Sequence, residues 1–162
     1  MIRPRPVPRV IGQDKDGTGP VLLPAEQMVV ARLERQTILD TPDPPHTVVV
    51  LDEAALHRLI GTPAVMADQL VHVASMSERL HVSVHVLPAT GANAGLSGAF
   101  DIASVDGTPD TLRMEGVEDQ TTENRTLVRK AAILFDLVRR DALPRVPSRT
   151  LILEAAEQWK SQ

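Results

Sequence analysis

The spacing of apolar and polar residues changes several times along the chain, and each spacing predicts a different element. Residues 24–39 mix apolar and charged side chains at helical spacing, and the prolines that follow Thr41 end this predicted helix. Residues 47–51 are β-branched or apolar throughout, which is typical of a central strand covered on both faces. Residues 81–86 alternate, so three valines face one side of a strand while two histidines and a serine face the other.

Capping residues predict two consecutive helices joined by a tight corner after the first of these strands. Asp52 is placed to cap the first helix through its carboxylate, and capping accounts for this residue without any further function. Gly61 is expected to end that helix in the left-handed conformation. Thr62 and Pro63 then supply the cap and first turn of the next helix.

The C-terminal half predicts a hairpin followed by two helices. Residues 98–105 and 111–117 are expected to be antiparallel strands, and Thr121 or Thr122 is expected to cap a long helix. The apolar stripe of this helix consists of Leu127, Ala131, Leu134 and Val138. A last helix from about Pro147 presents Leu151, Ala155 and Trp159. These elements predict an α/β (α+β) fold: a small mixed sheet of about four strands, helices packed against it and a C-terminal helical pair.

The length of 162 residues predicts one domain, which can bury a substantial core without metals or disulfides. Residues 1–23 combine prolines and early arginines with a polar stretch, which predicts a flexible Pro/Arg-rich arm. Residues 24–162 are then the folded domain, expected to bind a ligand or partner.

Composition narrows the environment and the partners. The chain has no cysteine, which excludes a disulfide framework, thiolate zinc ligands and a thiol nucleophile, and we expect a cytoplasmic protein. A net charge of −4 gives no general attraction to nucleic acid, so direct nucleic-acid binding is not expected. No apolar run has the length of a membrane helix, and no membrane association is expected. The oligomeric state is left open.

The five histidines do not predict a metal site. His81 and His85 share a face of the alternating strand, but four residues at about 3.3 Å each place them roughly 13 Å apart. We expect no metal and no cofactor. A triad of Ser97, His85 and Glu115 would be a chance combination in a chain of this size, so no catalytic residue is predicted.

A ligand pocket is expected beside residues 88–98, a stretch rich in glycine and alanine that permits close backbone approach. His85 lies on the polar face of the preceding strand, Asn93 is the amide side chain of the stretch, and Phe100 is a candidate apolar wall. Arg113 would supply a further polar contact. A plain hairpin connection is an equal alternative for the stretch.

Two pairs of candidate residues have competing interpretations. Arg113 and Glu115 share a face of one strand, either as an exposed pair, which we favour, or as polar contacts inside the pocket. His57 and Arg58 follow a strand-to-helix passage, a common location of binding residues in α/β sheets, although exposed charge on a helix explains them as well.

Nine stretches of the chain, taken in order and spacing together, resemble a known family. They are residues 31–39, 42–45, 50–58, 61, 65–70, 86–88, 91–100, 115–116 and 142–144. The combination resembles a domain of unknown function that lies behind an XRE-type helix-turn-helix in actinobacterial, antitoxin-like (WhiJ-like) transcriptional regulators. The resemblance implies a role in transcription regulation, with a small molecule or a regulatory protein as partner.

The chain departs from this family pattern at its N-terminus, because residues 1–23 are too short and too proline-rich to hold the helix-turn-helix. We therefore expect a stand-alone effector- or partner-binding domain without its own DNA-binding unit. The alternative is a cofactor-free enzyme of a biosynthetic pathway, of isomerase or cyclase type, that uses the same pocket. Between the two, the absence of a recognisable catalytic motif favours the non-enzymatic interpretation.

Overall fold

The computed structural model describes residues 11–13, 20–22, 30, 33–89, 98–116 and 119–162. Within these ranges the strands are β1 (Ile11–Gln13), β2 (Pro20–Leu22), β3 (Thr47–Asp52), β4 (Val82–Leu87), β5 (Phe100–Ala103), β6 (Thr111–Met114) and β7 (Gln120–Thr122). The α-helices are α1 (Ala54–His57), α2 (Pro63–Met76), α3 (Arg125–Asp141) and α4 (Arg145–Lys160), and a 3₁₀ helix spans Thr37–Asp40. The predicted mixture of strands and helices and the C-terminal helical pair are confirmed.

Strands of both directions occur, and in the described residues they belong to separate sheets. β3 and β4 form a parallel pair, whereas β5, β6 and β7 form an antiparallel sheet in that order. The predicted hairpin is therefore confirmed as β5–β6. Sequence patterns predict strands but not their neighbours, because strand pairing is decided by tertiary contacts.

β3 is less covered than its sequence predicts. All six of its residues are half-buried, and β4 is its strand partner within the described ranges. Its β-branched run therefore forms one side of a two-stranded sheet instead of the middle of a larger one.

The N-terminal part contains a short antiparallel pair, with Ile11 opposite Leu22 and Gln13 opposite Pro20. This pair falls inside the predicted arm of residues 1–23. Of the helix predicted over residues 24–39, the structure describes residue 30 and residues 33–36 as helical, followed by the 3₁₀ turn. The rest of that prediction lies outside the described residues.

The core forms where α2 and α4 pack on each other and on the valine face of β4. Val82, Val84 and Val86 are buried, as the alternation predicts. The helical residues that cover them are Leu56, Met66, Ala67, Leu70, Ala74, Ile152, Ala155, Ala156 and Trp159. The small side chains of the alanines allow the two helices to approach closely.

The hydrogen bonds predicted for Asp52 and Thr62 are confirmed, but the prediction that Gly61 ends the first helix is wrong, because α1 ends at His57 and Arg58 is already extended. The Asp52 carboxylate accepts a hydrogen bond from the Ala54 backbone N–H at 2.8 Å. Gly61 has a φ of 89°, the left-handed conformation that glycine adopts at little cost. The Thr62 hydroxyl accepts from the Val65 N–H at 3.3 Å, with Pro63 in the first turn of α2.

The predicted cap of α3 is wrong by two or three positions. The Asn124 side chain accepts from the N–H groups of Thr126 and Leu127, at 3.0 and 3.2 Å. Thr121 and Thr122 belong to β7 instead, because they pair with β6. Asparagine caps a helix as well as threonine does. Because Thr121 and Thr122 pair with β6, Asn124 becomes the cap of α3.

The two C-terminal helices differ in burial. Within α3, all of which the structure describes, only Val128 is buried, and the predicted stripe residue Leu127 is 41% exposed. In α4 the predicted Ala155 and Trp159 are buried, while Leu151 is half-buried.

Candidate functional site

The carboxyl ends of β3 and β4 lie side by side, with Asp52 opposite Leu87. Glu53 extends the pairing, because its backbone N–H donates to the Leu87 carbonyl at 2.9 Å. The Glu53 carboxylate then accepts from the Ala89 N–H at 2.8 Å. In open α/β sheets, ligands bind beyond the carboxyl ends of the strands, and this edge is therefore the candidate site.

Of the predicted pocket stretch of residues 88–98, the structure describes residues 88, 89 and 98. At its far end Gly98 has a φ of 124°, a conformation that favours glycine. The next residue, Ala99, accepts at its carbonyl from the Glu115 N–H at 2.9 Å. Asn93, predicted to contact a ligand, lies outside the described residues, so its role stays a prediction.

His85 has intrachain partners at both ring nitrogens. Nδ1 lies 3.0 Å from the Leu143 carbonyl oxygen, and Nε2 lies 3.0 Å from the Ser83 hydroxyl. Because a carbonyl oxygen only accepts, Nδ1 donates to Leu143, and Nε2 shares the second hydrogen bond with the Ser83 hydroxyl. A ligand at His85 would have to replace one of these bonds, so the geometry supports a structural role for this candidate.

The connection between α3 and α4 covers the outer edge of β4 next to His85. The Val86 N–H donates to the Ser148 hydroxyl at 2.9 Å, and the Leu143 N–H donates to the Val86 carbonyl at 2.8 Å. Sequence reasoning missed Ser148. Its place in the sequence could have indicated this role, because Ser148 lies four residues before Ile152 on the apolar stripe of α4. A buried hydroxyl at such a position requires a hydrogen-bond partner.

Arg113 lies among three carboxylates on the antiparallel sheet. Its guanidinium approaches Asp101 at 2.8 Å, Glu115 at 3.4 Å and Asp119 at 3.6 Å. The hydrogen bond to Asp101, followed by attraction to all three carboxylates, raises the pKa of Arg113 above its usual value. Arg113 and Glu115 thus form part of a surface ion-pair network in the structure.

The remaining candidates contact other parts of the fold. Phe100 is half-buried and pairs with Met114 across the hairpin. His57 and Arg58 are exposed at the end of α1. The Leu56 carbonyl just before them accepts from the buried Trp159 indole N–H at 2.8 Å. Of the candidates that the structure describes, Arg113 and Glu115 are in mutual contact, and the others have different neighbours.

Within the described ranges, no group of three or more histidine, aspartate or glutamate side chains is placed to hold a metal ion. In the same part of the chain, no helix combines the length and apolar character needed to cross a membrane.

Comparison with known proteins gives one match. The family described as "Domain of unknown function (DUF5753)" matches residues 10–154. No curated protein matches the chain. No solved structure matches it either. The family match spans β1 through most of α4 and includes the carboxyl edge of β3 and β4. The chain therefore belongs to the DUF5753 family.

Proposed function

We propose that this chain is a non-enzymatic effector-binding domain of the kind carried by actinobacterial, antitoxin-like (WhiJ-like) transcriptional regulators. Its effector is a small molecule that binds at the carboxyl edge of β3 and β4, beside Pro88 and Ala89. The observation that carries the proposal is the hydrogen bond from Ala89 to the Glu53 carboxylate. It ties the start of a glycine-containing connection to the sheet edge where ligands of α/β folds bind.

This edge is also connected to the C-terminal helix. Glu53 immediately precedes α1, a single helical turn, and the Leu56 carbonyl of that turn accepts from Trp159 in α4. A ligand that changes the position of Glu53 therefore acts on the single turn of α1, whose Leu56 carbonyl is hydrogen-bonded to Trp159 of α4. An effector-binding domain needs such a connection in order to report occupancy to another surface.

The arrangement of His85 favours binding over the alternative of a cofactor-free isomerase or cyclase. A histidine that acts as general base must have a free ring nitrogen within reach of the substrate proton, whereas both ring nitrogens of His85 are engaged within the chain.

Nuclear magnetic resonance can test the site with a panel of amino acids, nucleosides, sugar phosphates and aromatic acids. In ¹⁵N-labelled protein, we expect binding compounds to shift the amide signals of residues 52–57, Ala89 and residues 98–100. Glu53→Gln keeps the shape of the side chain but removes its charge, and should weaken binding about tenfold, the effect of losing one charge-assisted contact. Glu123→Gln, an exposed residue after β7, is the matched control.

Two outcomes would contradict the proposal. If all binding compounds shift signals elsewhere, or if none binds, the carboxyl edge is not an effector site. If mass spectrometry shows that the protein converts a compound, and Glu53→Gln abolishes the conversion, the enzymatic alternative is correct.

A further inference from the structure

Helix α3 presents several apolar side chains to solvent besides its buried Val128. Ile133 is 52% exposed and Leu137 is 40% exposed, and they lie one turn apart. Leu127 is 41% exposed and lies two turns before the half-buried Leu134. We call these four residues the outer strip. Single exposed apolar residues are normal, whereas several adjacent ones on one helix face mark an interaction surface.

The charge of α3 is opposite in sign to that of the whole chain. Its exposed basic residues are Arg125, Arg129, Lys130, Arg139 and Arg140. Against them the helix has only Asp136 and Asp141, and Asp141 is paired with Arg140 at 3.1 Å. The chain as a whole has a net charge of −4. The outer strip is therefore an apolar surface with basic surroundings on an acidic protein.

This combination restricts what can cover the strip. A second copy of α3 would bring two basic helices together, and the repulsion between like charges opposes that arrangement. An anionic membrane would attract the basic residues of α3 but would repel a chain whose net charge is −4. A partner helix with acidic flanks avoids both repulsions. It brings negative charge to the basic residues of α3, and it is narrow enough to leave the rest of the acidic chain uncovered.

We propose that the outer strip of α3 is the docking surface for an acidic amphipathic helix of a partner protein. Anchors of such a helix recur at spacings of three and four residues, as Ile133, Leu134 and Leu137 do on α3. The proposal gives a partner chemistry to the binding domain proposed above. It uses a different surface from the carboxyl edge of β3 and β4, so each proposal can fail while the other holds.

Two synthetic peptides of about 18 residues, which form about five helical turns, can test the charge requirement. Both carry leucines at helical spacing, and the remaining positions are mainly glutamate in one peptide and mainly lysine in the other. In fluorescence polarisation with the full chain, the glutamate peptide should bind at least about tenfold more tightly than the lysine peptide. Its binding should weaken as salt is raised, because exposed charges are screened.

Matched variants locate the binding surface. The double change Ile133→Ser and Leu137→Ser should weaken binding of the glutamate peptide about tenfold or more, since it removes two apolar contacts. Val105→Ser, at a residue 66% exposed beyond β5, should leave binding unchanged. Lys130→Glu should weaken binding, whereas Lys160→Glu on α4, with the same change of net charge, should not. Circular dichroism confirms that each variant is folded.

Several results would overturn the proposal. Equal binding of both peptides, binding of neither, or unchanged binding by the Ile133→Ser/Leu137→Ser variant excludes an acidic helix at the strip. Binding to vesicles of phosphatidylglycerol and phosphatidylcholine that the double variant abolishes would assign the strip to a membrane surface. A dimer in sedimentation analysis that the double variant dissociates would assign it to a second copy of the chain.

Discussion

The hydroxyl of Ser148 accepts a hydrogen bond from the backbone N–H of Val86 at 2.9 Å, although the two residues are 62 positions apart. The same hydroxyl donates to the Leu143 carbonyl at 3.0 Å, and Ser148 is fully buried. One side chain of α4 therefore satisfies a backbone donor on the outer edge of β4 and an acceptor in the α3–α4 connection. Without it, the N–H of the buried Val86 would lose its partner, whereas the Leu143 carbonyl would keep the bond from His85, and the loss at Val86 has a measurable cost.

Ser148→Ala should lower the free energy of unfolding by about 1–3 kcal/mol, the usual cost of leaving a buried polar group unsatisfied. Urea unfolding followed by circular dichroism gives the value. Thr150→Ala on the same helix is the control, because the Thr150 hydroxyl is exposed and bonds only within its own helix, to the Val146 carbonyl. The control should change stability by less than about 0.5 kcal/mol. Equal effects of the two changes would contradict the bridging role of Ser148.

His85→Ala should destabilise the fold by about 1 kcal/mol, because the bond from Nδ1 to the Leu143 carbonyl and the bond from Ser83 are both lost. His57→Ala should be neutral, since His57 is exposed at the end of α1. Thermal unfolding of both variants checks the difference. If His85→Ala unfolds like the unmodified chain but loses binding of an effector, the original interpretation of His85 as a ligand residue is correct.

Ile152→Ala should lower the free energy of unfolding by about 2–5 kcal/mol, the range for a large apolar side chain removed from a core. Ile152 is fully buried between α2 and β4. Leu134→Ala should cost less, because Leu134 lies half-exposed on α3 despite its place in the longest apolar stripe of the sequence. Urea unfolding of the two variants tests the order, and a larger loss at Leu134 would show that α3 is the better covered helix.

Trp159→Phe should lower the free energy of unfolding by about 1–3 kcal/mol, because the buried Leu56 carbonyl loses the indole N–H that binds it. Circular dichroism is the suitable measurement, since the chain contains one tryptophan and the variant has none. In the unmodified chain, fluorescence emission of Trp159 should shift to longer wavelength on unfolding. An emission maximum that is unchanged by urea would mean that the indole is not buried.

The sequence predicted well those features that depend on neighbouring residues. The cap at Asp52, the left-handed Gly61 and the cap at Thr62 each involve a single turn, and all three are confirmed. The buried valines of β4 follow from a period of two. These signals need no knowledge of the rest of the fold.

The candidate site was harder to predict because its side chains find distant partners. The strand face of His85 predicts a ligand contact, but its partner Leu143 is 58 positions away. The contact of Glu53 with Ala89 spans 36 positions, and capping preferences gave no reason to expect it. Whether a polar residue is free for a ligand depends on which segments meet it, and pattern alone does not give that information.

The distribution of the core residues determines when the domain can form during synthesis. The buried valines of β4 emerge from the ribosome early, whereas Trp159 and the rest of the α4 core follow about 70 residues later. At about 5–20 residues per second this interval lasts on the order of 4–14 s, during which the valine face of β4 lacks its cover from α4. Substitutions in α4 should therefore reduce the yield of intact protein in cells by more than their effect on equilibrium stability alone suggests.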